Sequence, residues 1–192
     1  DDITSALINA EIEDEKLTQQ ELASFFVLLV TAGNETTRTA IAHGLNALTQ
    51  HPDQLAIWQG DYETHAKTAV DEIVRWASPV IWMRRTLSQD YVLSGKELKS
   101  GDKVLLFYNS ANRDEDAFVD PYRFDVTRTP NDHYGFGAPG PHFCLGAHLA
   151  RREITVMFRE LFRRYPSLRA TGEAVQLQSS FVNGIKKLPY SF

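Results

Sequence analysis

Cysteine is nearly absent from this sequence: one residue, Cys144, in 192. A single cysteine excludes any disulfide within the chain and suits a reducing compartment, so a cytoplasmic location is expected. Long apolar runs are missing too. The longest, Phe25 to Val30, is far short of the roughly 20 residues needed to cross a bilayer, so no membrane anchor is expected. There is no basic surplus, the formal charge being −5, which argues against a general nucleic-acid binder. No secretory signal is visible. An initiating methionine is lacking as well, and DDITSALINAEIEDEKL reads as helical sequence already under way. The chain is therefore expected to be a piece of a longer protein.

What is present is ordinary in amount and uneven in arrangement. The hydrophobic fraction of 43% is enough for one sizeable core. Residues 3–13 read as a short amphipathic helix with Ile3, Leu7 and Ile8 on one face. Thr18-Gln-Gln-Glu21 is a capping box that opens a long helix. No proline interrupts it before Pro52, so it extends for about 48 Å at 1.5 Å per residue. Gly33 lies at its middle, where a local distortion is expected. Further helices are predicted over 53–59, 64–77 and from about Leu145 to Tyr165. Val80-Ile81-Trp82, Tyr91–Leu93 and Lys103–Tyr108 are strand candidates, parted by turns at Ser94-Gly95 and Ser100–Asp102. Residues 109–143 form an irregular stretch too long for a compact domain unless it has a function. The tail 174–192 reads as strands with a turn at Asn183-Gly184. The chain is thus mainly α with small β-sheets.

Two places carry candidate chemistry. One is FGAPGPHFCLG, residues 136–146, which ends the irregular stretch and opens the last helix. Gly137, Gly140 and Gly146 allow the backbone to approach something bulky. At a helix start the amides of Leu145, Gly146 and Ala147 are available to favour negative charge on sulfur. A lone cysteine is also often just a small buried hydrophobe, and the residues alone leave both readings open. The other place is TAGNETT, residues 31–37, which puts glycine, an amide, a carboxylate and hydroxyls inside an otherwise apolar helix. Its threonines either bond back to their own helix, with Glu35 solvated, or face a ligand.

The loop, followed by AHLARRE, resembles the haem-binding loop of the cytochrome P450 monooxygenases, in which the cysteine ligates iron. Three more motifs follow the family's order: TAGNETT on the central helix, Glu72-Ile-Val-Arg75 as the E-x-x-R helix, and Asp120-Pro-Tyr-Arg-Phe124 as the arginine-bearing loop. The family commonly places its aromatic seven residues before the cysteine; Phe136 stands eight before Cys144, one residue more. That variant, with ASPVIWMRRT, SANRDE and FVNGIKKLP, resembles a bacterial subgroup acting on methyl-branched lipids and sterol side chains.

The resemblance implies the C-terminal portion of the cytochrome P450 fold, with residues 1–192 a single partial domain lacking its N-terminal half. It implies haem b (iron protoporphyrin IX) with Cys144 as the metal ligand, and Ala32, Gly33, Arg85, Phe136, Gly137, His142 and Gly146 around it. Arg85 and His142 match propionate contacts, with Arg84 the substitute for Arg85. Glu35 and Thr36 match the family's acid and alcohol, and Glu72, Arg75 and Arg123 its buried structural network. Val80, Ile81, Trp82, Phe181 and Val182 would line a pocket for a lipid or sterol-like substrate, or form plain core. The implied reaction inserts one oxygen atom from O2 into a C–H bond, a terminal hydroxylation. Electrons would come from a ferredoxin and its NAD(P)H-dependent reductase. Arg152, Arg159 and Arg163 on the last helix form either a docking stripe for that partner or a solvated face. The alternatives are a haem-binding fragment without catalysis, and a peroxide-driven haem-thiolate enzyme.

Overall fold

The capping box works as its residue types require. Thr18 N donates to Glu21 Oε2 at 2.9 Å, Glu21 N donates to Thr18 Oγ1 at 3.3 Å, and the hydroxyl closes the box at 2.7 Å. The computed structural model describes residues 2–12 and 14–192. Residues 1–35 and 36–192 form two units, described separately below.

In the first unit, α1 spans Ile3–Ile8. It is shorter than the predicted helix over 3–13, of which residue 13 lies outside the described residues. Asp2 caps α1 by accepting from Ser5 N. Asn9 ends it, and β1 (Glu11–Ile12) pairs antiparallel with β2 (Glu15–Lys16). Asp14 stands at φ +65°, a left-handed conformation that aspartate tolerates better than most residues. The apolar face expected of this helix is not buried; Ile3 is 65% exposed. The unit also holds the first part of α2, which spans Gln19–Gln50. The helical ladder continues through Gly33 without a change of helix type, so the expected distortion does not interrupt it.

In the second unit, α3 (Pro52–Gly60) follows α2 after one residue, with Pro52 at the first helical position, where its missing N–H costs nothing. Asp61 then caps α4 (Tyr62–Ala77) through Thr64 N. The apolar side of α4 (Ala69, Val70, Ile73, Val74) packs with Ala40, Ala47 and Leu48 of α2 and with Ile154 and Phe158 of α6 (Ala147–Arg164). Trp58 fills the centre, its ring 5.1 Å from both Phe158 and Phe162. A side chain on Gly44 would meet Ile73 and Phe158 at 2.9 Å, so the glycine is what allows α2 to approach this core.

Among the described residues the sheets are all two-stranded. Strand β3 (Trp82–Thr86) pairs with β6 (Lys103–Phe107), and β4 (Tyr91–Leu93) forms a hairpin with β5 (Lys96–Leu98) across Ser94-Gly95, both at positive φ. A single turn, α5 (Tyr108–Ala111), follows. No helix or strand then intervenes until α6, as the irregular stretch predicts. Beyond α6, β7 (Arg169–Ala170) pairs with β10 (Tyr190–Ser191), and β8 (Val175–Gln176) with β9 (Ile185–Lys187).

Asn183-Gly184 is not a tight turn but part of the connection from β8 to β9. Asn183 is tied instead to α4 and its exit, donating from Nδ2 to Ala77 O at 2.6 Å and from its amide to Pro79 O at 3.0 Å. The predicted apolar face of α6 divides. Ile154 enters the core, while Met157 and Tyr165 remain exposed beside an apolar groove of about 650 Å³ that Ile41 also lines.

Candidate active site: a cysteine loop fastened to a buried ion network

The loop that ends at Cys144 is built from turns. Gly137, at φ +82°, donates to Tyr134 O at 2.8 Å, and Phe143 donates to Gly140 O at 3.0 Å. The amide of Cys144 donates to Phe136 O at 2.9 Å, which closes the loop on its own start. The thiol is free and exposed, so the buried-hydrophobe reading does not hold. Gly146 caps α6, two residues after the cysteine, and the amide of Ala147 donates to Cys144 O at 3.2 Å. That amide is therefore engaged by the carbonyl, contrary to the expectation that it is available to sulfur.

Beneath the loop, Glu72 and Arg75 are completely buried. Arg75 grips the carboxylate with two bonds, Nε to Oε2 at 2.7 Å and Nη2 to Oε1 at 2.8 Å. Its remaining N–H groups reach the carbonyls of Asn112, Pro121 and Arg123. Glu72 also accepts from Asp125 N at 2.8 Å, Arg128 Nε at 3.1 Å and Asn131 Nδ2 at 3.2 Å. This is a buried ion pair and not a surface one.

The second arginine is not the one the motif indicated. Arg123 is exposed and contributes only its carbonyl, while Arg128 sends its guanidinium to Glu72. The cause is a turn. Asp120, at φ +48°, accepts from Arg123 N, which turns the carbonyls of 121 and 123 toward Arg75. Arg128 then binds the same turn at Val119 O, Asp120 O and Arg123 O.

Sequence reasoning also missed Asn112 and Gly135. Asn112 is fully buried. Its Nδ2 donates to Ser78 Oγ at 2.9 Å and its Oδ1 accepts from Tyr134 N at 2.7 Å, so it joins the end of α4 to the start of the cysteine loop. Ser78 occupies a left-handed φ of +38°, and its hydroxyl also bonds Arg75 O, which helps hold that conformation. A side chain on Gly135 would come within 2.5 Å of Val74, so the loop passes directly against α4. The available signal for Asn112 was its place in the SANRDE stretch, residues 110–115; for Gly135, a glycine next to the loop.

The predicted pocket residues do meet. Val80 bridges Val182, Ile81 N donates to Phe181 O at 2.9 Å, and the Trp82 and Phe181 rings sit edge to face at 5.6 Å. Arg85 is half-buried on β3 and donates to Arg84 O. His142 is exposed on the cysteine loop. Ala32, Gly33 and Glu35 lie on the part of α2 in the first unit, where a Cβ on Gly33 would meet open space; Thr36 begins the second unit and is half-buried. The expected arginine stripe is largely neutralised: Arg159 pairs with Glu63 at 3.0 Å and Arg163 with Glu160 at 2.7 Å.

The donor set fits a haem better than a bare metal ion. Among the described residues no three of His, Cys, Asp and Glu cluster as a ligand set. A structural zinc would need about four protein ligands, whereas haem iron needs one axial ligand from the protein. A Cβ on residue 146 would stand 4.0 Å from the sulfur, in ordinary contact, so Gly146 lies directly beside Sγ. Leu145 and Leu149, just after the cysteine in sequence, are 78% and 60% exposed, an apolar pair of the kind a porphyrin would cover.

The cytochrome P450 family model matches residues 64–191, which include the E-x-x-R helix and the cysteine loop. The chain belongs to the cytochrome P450 family. The cofactor of cytochromes P450 is haem b, held by a thiolate. This chain is 57% identical over all 192 residues to a methyl-branched lipid omega-hydroxylase of Mycobacterium tuberculosis, covering 45% of that relative. It is 46% identical over 186 residues, 97% of the chain, to a steroid C26-monooxygenase of the same species, covering 42% of it. A Mycobacterium marinum cytochrome P450 solved with pseudoionone superposes with a TM-score of 0.96 at 49% identity, over the whole of this chain and 46% of that one. The chain thus spans less than half the length of these relatives, and its mainly helical architecture with small sheets matches about half of the cytochrome P450 fold. Among the described residues, no helix is long and apolar enough to cross a membrane.

Proposed function

We propose that the protein carrying this chain is a haem-thiolate monooxygenase that inserts one atom of O2 into a C–H bond. Its substrate is the terminal methyl of a methyl-branched lipid or sterol side chain, and residues 1–192 form the C-terminal part of one cytochrome P450 domain. The observation that carries this reading is the exposed Cys144 thiol on a loop fastened, through Asn112, to the buried Glu72–Arg75–Arg128 network. When bound, haem b supplies an iron centre whose reactivity toward O2 the sulfur ligand tunes.

The residues of the chain take the remaining tasks. Cys144 presents the sulfur, with Gly146 directly beside it, and Arg85 and His142 offer a cation and a donor to the two propionates. Reducing O2 to water and an inserted oxygen atom consumes two protons. Thr36 donates a proton to oxygen at the site, and Glu35, its neighbour in the chain, resupplies it from solvent. Ala32 and Gly33 leave room beside the helix backbone. Val80, Ile81, Trp82, Phe181 and Val182 form an apolar wall that favours a hydrocarbon substrate. A ferredoxin and its NAD(P)H-dependent reductase supply the electrons in the cytoplasm. An acidic partner docking on α6 has to compete with Glu63 and Glu160 for Arg159 and Arg163.

The test is turnover by the full-length protein with ferredoxin, reductase and a methyl-branched fatty acid or a sterol under labelled dioxygen. One labelled oxygen atom at the terminal carbon is expected. Label drawn from water, or equal turnover from peroxide without electron donors, contradicts the proposal.

A further inference from the structure

The cysteine loop is held from a second side by residues to which neither the motifs nor the proposed mechanism gives a task. Asp71 precedes Glu72 on α4, so its carboxylate leaves the helix about 100° around from the buried network. Its Oδ1 accepts from Arg151 Nε of α6 at 2.7 Å and lies 3.4 Å from His133 Nε2. The His133 side chain is buried, and its Nδ1 accepts from Gly135 N at 3.1 Å. An accepting Nδ1 carries no proton, so Nε2 bears the hydrogen and donates to Asp71.

Both partners of Asp71 also hold Phe136. The Arg151 guanidinium lies 4.4 Å above the centre of that ring, and the His133 ring lies 5.7 Å from it. Phe136 in turn accepts the amide of Cys144 through its carbonyl. Burial acts to raise the Asp71 pKa, but the bonds from His133 and Arg151 outweigh it and keep the carboxyl below its ordinary value. Asp71 is therefore ionised at neutral pH.

We propose that Asp71, His133 and Arg151 are positioning residues that fix the Phe136 ring and, through the Phe136 carbonyl, the direction in which Cys144 presents its sulfur. The inference rests on the reading of Cys144 as the iron ligand. None of the three contacts the sulfur. The site calls for arginine rather than lysine, because only a planar guanidinium can donate sideways to Asp71 while stacking on a ring. A role limited to charge pairing would be met by lysine as well.

The test compares Arg151→Lys and Asp71→Asn in the full-length haem-loaded protein, with Arg164→Lys on the outer face of α6 as the control. Two readouts apply: amide hydrogen exchange of residues 143–145, and the fraction of reduced, carbon monoxide-saturated protein with a thiolate-type red-shifted Soret band. Loss of a charge-assisted bond should speed that exchange roughly tenfold. It should also lower the thiolate fraction at least twofold, with far-UV dichroism and total haem unchanged, while the control matches the parent. A thiolate band in the parent with both variants equal to it in exchange and in spectrum overturns the positioning role and leaves the ligand assignment standing. No thiolate band in the parent overturns both. If Asp71→Asn fails to accumulate, Arg151→Lys decides through the same two readouts.

Discussion

Arg75 reaches back three residues to Glu72 on α4, and Arg163 reaches back three residues to Glu160 on α6, each with a closest N···O distance of 2.7 Å. Spacing, residue types and distance agree, yet the surroundings do not. The first pair has no exposed side-chain surface, whereas the second is 63% and 37% exposed. What separates them is the irregular stretch after α5. It places Asn112, Pro121 and Arg123 carbonyls on Arg75, and Asp125 N, Arg128 and Asn131 on Glu72. Among the described residues, Glu160 instead takes only a second exposed arginine, Arg164, at 2.8 Å. A buried pair with every polar atom satisfied fixes the geometry of the loop around it, whereas an exposed cluster on one helix restrains only its own side chains.

Breaking the buried pair should have the largest effect. Glu72→Ala leaves two guanidiniums without their carboxylate and should cost about 3–5 kcal/mol, read by denaturant unfolding of the full-length protein together with loss of bound haem. Arg128→Ala should cost about 1.5–3 kcal/mol by the same measurement, as loss of bonds to a charged partner. Arg123→Ala should stay within about 0.5 kcal/mol; the opposite order would return the network to the arginine that the motif indicated.

A smaller effect is expected at His43. Burial lowers its pKa from the ordinary 6.5, although its bond to the Asn183 carbonyl works the other way. The unfolded chain then binds the proton more readily than the folded one, so stability is complete above pH 6.5 and declines as pH falls toward the lower folded value. His43→Gln should flatten that part of a melting-temperature profile. The smallest effect belongs to the exposed pair, where Glu160→Gln should leave the melting temperature unchanged within error.

The helices were legible because their signals are local. The capping box, Pro52 and the apolar period of α4 lie within a few residues of what they specify. The loop motif around Cys144 was legible for a similar reason, its glycines and cysteine being contiguous. Arg128 was not, because its selection depends on a turn at Asp120 whose positive φ no residue type dictates. The Asp71–Arg151 pair joins residues 80 apart, and Asn183 is specified by the exit of α4 more than 100 residues earlier. Such contacts follow from packing, and no short window of sequence contains both partners.

The central claim is that the sulfur at position 144 is the protein's ligand to haem iron. The most direct measurement is the absorption spectrum of the reduced, carbon monoxide-saturated full-length protein beside its Cys144→Ser variant. A red-shifted Soret band in the parent that disappears in the variant is the expected result. A band at the histidine-ligated position in the parent, or one that survives the substitution, would contradict it.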